Sequence, residues 1–97
     1  MKIKVLARHI KLADVCKRVD DGLTTETGRS LGTFCPVAQA LSELGYEQVY
    51  VGLTQAVVKK GEWRGKFALP PALQAEIQSW DHGFGFRPIE VEVAPLN

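Results

Sequence analysis

The chain has 97 residues, 45% of them apolar, with twelve Lys and Arg against eleven Asp and Glu, two His and two Cys. That is the size of one domain with one modest core. The near-neutral charge excludes a global field toward nucleic acid or anionic membrane, and two cysteines are too few for a disulfide framework. No apolar run is long enough to span a bilayer, and the charged opening holds no stretch of signal-peptide length. The expected location is therefore cytoplasmic, with both cysteines as thiols.

Residues 1–6 alternate Lys2 and Lys4 with Ile3 and Val5, the period of a strand with one buried face. Residues 7–18 predict a short helix, with Leu6, Ile10 and Ala13 on one side and Asp14 paired with Lys17 or Arg18. Residues 1–18 also form a local basic segment: Lys2, Lys4, Arg8, Lys11, Lys17 and Arg18 stand against Asp14 alone. Residues 19–34 are rich in Gly, Thr and Asp without periodicity and predict a long loop, a kind of connection that in compact domains tends to be a binding loop or disordered.

Pro36 then fits a first helical position with Cys35 as N-cap, and Gly45 fits the stop. Between them Val37, Ala40, Leu41 and Leu44 recur at i, i+3, i+4 and i+7, the stripe of a helix packed on a core. Residues 48–53 predict a strand through Val49, Val51 and Leu53, with Gly52 as a bulge or bend. Residues 56–60 and 66–69 predict a hairpin around a glycine-bounded loop, 61–65. Pro70 and Pro71 open a second strong helix with Leu73, Ile77 and Trp80 on its stripe and Gly83 as its stop. Residues 88–93 end the pattern, Ile89, Val91 and Val93 inward and Glu90 and Glu92 outward. Outward Lys2 and Lys4 complement those glutamates, so the two terminal strands are expected to pair. The predicted fold is a single α+β domain of mainly antiparallel sheet with two helices packed on one face.

Two places could carry chemistry. The first is the run Gly28-Arg29-Ser30-Leu31-Gly32-Thr33 ahead of the Pro36 helix, whose unpaired N–H groups favour an anion; Arg29 adds a bidentate donor and Ser30 and Thr33 add hydroxyls. It has neither the lysine of a P-loop nor the strand of a dinucleotide fingerprint, and an ordinary loop ending in an N-cap competes with it. Cys35 at that N-terminus could be a lowered-pKa thiol with His9, or His82 beside Asp81, as its base; the competing reading is a small buried side chain. His9, Cys16, Cys35 and His82 lack zinc-ligand spacing, and no cofactor is expected.

The second place is aromatic. Trp63 lies among Lys59, Lys60, Arg64 and Lys66, a mixture suited to stacking on a base with phosphate contact or to a protein interface, while a ring folded over its own strand is the competing reading. Phe84-Gly85-Phe86-Arg87 offers rings that glycines would let project, against packing at the edge of the core.

Cys35-Pro36-Val37-Ala38-Gln39-Ala40-Leu41, Leu69-Pro70-Pro71 opening a helix that ends in Trp80-Asp81, and a closing Arg87-Pro88-Ile89 strand together resemble a group of small proteins encoded by bacteriophages and their bacterial hosts. The likeness covers residues 35–93 and departs in the basic first segment and the long loop. It implies a phage accessory protein that counters host defence in the host cytosol, and it carries no catalytic residue over. The expected function is a non-enzymatic protein that sequesters a nucleotide or other phosphorylated signal. Arg29, Ser30, Gly32 and Thr33 at the helix N-terminus would hold phosphate, Trp63 or Phe84 would hold the base, and Cys35, Arg64 and Arg87 complete the expected ligand-binding set. The alternatives are an inhibitor of a host protein, dimeric and anchored by Trp63; a nucleic-acid binder using the basic first segment; and Cys35 catalysis.

Overall fold

A computed structural model describes residues 1–22 and 35–96, the side chains of 17–22 excepted. Its elements run β1 (Lys2–Val5), α1 (Ala7–Gly22), α2 (Pro36–Glu43), β2 (Gln48–Val51), β3 (Gln55–Lys60), β4 (Trp63–Ala68), α3 (Pro71–Asp81), β5 (Ile89–Glu92) and β6 (Ala94–Leu96). The fold is α+β, as the patterning predicts, and every strand pairing is antiparallel.

The terminal strands pair as their charges suggest, Lys2 opposite Glu92 and Lys4 opposite Glu90. They form a two-stranded sheet of their own, while the other strands make a second sheet in the order β2-β3-β4-β6. The chain changes sheets at buried Val93, whose N–H donates to the Met1 carbonyl at 2.8 Å while the Met1 ammonium donates to its carbonyl at 3.2 Å. In the larger sheet the edge strands are β2 and β6, and β6 carries Pro95.

Three local readings change. Residues 19–22 belong to α1 rather than to the loop; the remainder of that loop lies outside the described residues. Gly52 ends β2 instead of bending it, its N–H donating to the Gln55 carbonyl at 2.8 Å to close a tight hairpin. Finally, the turn between β3 and β4 is only Gly61-Glu62, with Gly61 at φ +61°, so Trp63, Arg64 and Gly65 belong to β4.

The core gathers Ile3 and Val5 from β1, Val37 and Leu41 from α2, Val51, Val58 and Phe67 from the larger sheet, and Leu73, Ile77 and Trp80 from α3. Helix α2 packs on α1, β1 and β2, which places it between the two sheets. Helix α3 is tied to α1 by the Trp80 indole, whose Nε1 donates to Asp14 Oδ1 at 2.8 Å.

Candidate functional site

The start of α2 belongs to the core. Pro36, Val37 and Ala38 are buried, so the first turn does not present its N–H groups to solvent. Cys35 is 2% exposed, and burial pushes its thiol up to about 11 against the opposing pull of the Ala38 and Val37 amides. It is a packed thiol, held in the form that is neither nucleophile nor surface ligand. The expected phosphate residues Arg29, Ser30, Gly32 and Thr33 lie outside the described residues.

His9 is fully occupied. Its Nδ1 accepts the Leu6 N–H at 2.9 Å, which places the ring proton on Nε2 facing Glu43. Arg8 binds the same carboxylate, and these two partners, Arg8 first, hold Glu43 down to about 2. With both nitrogens used, His9 has none left to take a proton from a substrate; it fastens the start of α1 to the end of α2. Among the described residues no three His, Cys, Asp or Glu side chains converge on one point.

The pleat of the larger sheet divides the basic and aromatic mixture around Trp63. Lys60 is opposite Trp63, Val58 opposite Gly65 and Ala56 opposite Phe67, all on the face toward the core. The Trp63 ring lies over Gly65 and stacks on Tyr46, with centroids 6.1 Å apart and planes at 26°. The ring is folded over its own strand, as the competing reading has it, while the residue stays 53% exposed. Phe86 is buried, whereas Phe84 is 85% exposed on a loop in which Gly83 and Gly85 have positive φ. Arg87 is committed to Glu76, donating from Nη2 to Oε2 at 2.8 Å, and this pair lowers the Glu76 pKa.

On the opposite, solvent-facing side of the sheet a different set comes together. Lys59 and Arg64 are directly opposed across β3 and β4, with Lys66 two residues further along. Across the next row run Tyr50, Val57, Lys66 and Leu96, one from each strand, with Tyr50 51% and Leu96 41% exposed. A cavity of about 590 Å³ opens over β2 and β3, walled in part by Gln48, Tyr50, Val57, Lys59 and Arg64. Among the described residues no carboxylate lies within ion-pair distance of Lys59, Arg64 or Lys66. The nearby Glu47, also on that wall, spends one oxygen on the Gly61 N–H at 3.1 Å.

Like charges directly opposite on a sheet repel, so the Lys59–Arg64 pair costs the sheet some stability. Of the ligand-binding candidates among the described residues only Arg64 belongs to this face, together with its basic neighbours Lys59 and Lys66. Tyr50 escapes sequence reasoning, although the alternation of β2 does put it on the face away from Val49 and Val51. Comparison with protein-family models, with curated proteins and with solved structures finds no match to this chain.

Proposed function

We propose that the protein is a binding protein for a phosphorylated ligand and acts by holding that ligand rather than transforming it. This suits the phage accessory role implied by the Cys35–Leu41 resemblance. The observation that carries the reading is the Lys59–Arg64 pair, two cations face to face on the sheet with Lys66 beside them and, among the described residues, no carboxylate within ion-pair distance. An arginine flanked by lysines supplies a bidentate fork and point charges for phosphate oxygens. Packed Cys35 and doubly bonded His9 support a non-catalytic role.

Titration calorimetry with inorganic tripolyphosphate and with ATP tests the reading on the protein and on Arg64→Glu. The substitution turns a repulsive cross-strand pair into an attractive one, worth about 0.2 to 1 kcal/mol. The variant should melt no lower than the parent and bind at least tenfold more weakly. Parent affinity in the variant, or no heat from either anion, rejects the site.

A second reading, contact with a host protein, is favoured by Phe84 instead of Trp63. The Phe84 N–H donates to the Ser79 carbonyl at 2.8 Å and the Gly83 N–H to the Trp80 carbonyl at 3.0 Å, so the backbone is fixed while the ring stands in solvent. An anchor ordered in advance loses little entropy on docking.

A further inference from the structure

We propose that the ligand of the open sheet face is single-stranded nucleic acid, laid across β2, β3 and β4 with successive phosphates on Lys59, Arg64 and Lys66 and a base stacked on Tyr50. The inference rests on the phosphate-binding reading and narrows it to a ligand class.

Extent is the first argument. Sites for small molecules are concave and bury most of the ligand. Here the cavity over β2 and β3 takes in only Tyr50 and Val57 of the row, which continues through Lys66 to Leu96 on β6 and so crosses the full sheet, three strand spacings or about 14 Å. One base covers only part of that row; several bases in succession cover it. Spacing is the second argument. Lys59 and Arg64 are cross-strand neighbours, and Arg64 and Lys66 are about 7 Å apart along β4. Long side chains at that spacing can each take a separate phosphate of a chain. Tyr50 supplies a π-face that any base can use, and Gln48, next to it on the same face of β2, supplies an amide for a base edge.

Shape argues against a duplex. The major groove admits an inserted helix or a two-stranded ribbon, whereas the described residues present here a sheet face four strands wide. The net charge of +1 means that attraction is confined to the patch, so affinity should depend on a few phosphates only.

The experiment is fluorescence anisotropy of a labelled oligouridine ten-mer titrated with protein across a range of KCl, with UMP, UTP and a ten-base-pair duplex as competitors. The ten-mer should bind saturably, with log K against log salt falling at a slope of about −2 for three phosphates. Tyr50→Ala should weaken binding at least fivefold and leave the slope unchanged; Arg64→Ala should reduce the slope by about 0.7. Tyr50 and Arg64 are both exposed, so neither variant threatens the fold. If UTP competes as strongly as unlabelled ten-mer, or if the duplex binds better, the single-strand assignment falls and the phosphate-binding reading stands. Unchanged affinity in Tyr50→Ala also overturns the assignment. If neither the ten-mer nor UTP binds, both fall.

Discussion

Gly65 has no side chain because the Trp63 ring fills the space one would need. A Cβ built there would lie 2.3 Å from Trp63 Cη2 and 2.8 Å from Cζ2. Gly65→Ala must therefore push the indole off Tyr46 and forfeit an aromatic contact worth about 0.5 to 1.5 kcal/mol. In a Trp63→Ala background the same substitution should cost nothing, since alanine suits a strand better than glycine. Denaturant melts of the four proteins check this; an equal cost in both backgrounds would show that the ring does not hold the site. At this scale the sequence was legible in type and illegible in direction. Lys59, Trp63, Arg64 and Lys66 stand out as a basic and aromatic group, but their sides depend on where the turn closes. A two-residue turn in place of a five-residue loop brings Trp63 and Arg64 into β4 and sends them to opposite faces.

Among the elements, proline and glycine punctuation located α2 and α3, and period-two alternation located β1 and β5. The extent of α1 was harder to see, because Asp20, Asp21 and Gly22 close it with acids at the negative end of the helix dipole and a poor helix former. The tie between α1 and α2 was also hidden: Glu43 lies more than thirty residues from Arg8 and His9, and no local pattern joins them. That tie has a pH signature. The folded pKa of Glu43 is held near 2, below its ordinary 4.5, so its contribution is fully present above about pH 4.5 and is lost as pH falls toward 2. Glu76 acts in the same direction through Arg87. Glu43→Gln should therefore lower the melting temperature near neutral pH, and its loss of stability on acidification should be shallower than the parent's, leaving mainly the Glu76 share. Parallel pH profiles for the two proteins would mean that the carboxylate contributes no net stability.

For the whole molecule, the α+β class and the pairing of the terminal strands could be read from alternation and charge, but the division into two sheets could not. It depends on a switch at Val93 that leaves the residue pattern unbroken, and on β6, a three-residue strand containing proline. Because α2 sits between the sheets and its Leu41 is buried, the two sheets are expected to unfold together. Leu41→Ala should cost about 2 to 5 kcal/mol and lower the melting temperature by roughly 10 °C or more, in a single transition seen alike by circular dichroism and by tryptophan emission. Two separated transitions would mean that the sheets fold independently.

The two borders of the larger sheet are unlike. On β6, Pro95 interrupts the row of donors that another strand would need, whereas β2 reads Gln48-Val49-Tyr50-Val51 with neither proline nor charge. Backbone growth of the sheet is thus one-sided. A second copy joined β2 to β2 would leave proline-bearing β6 at both borders of the combined sheet, so growth of this sheet ends at two molecules.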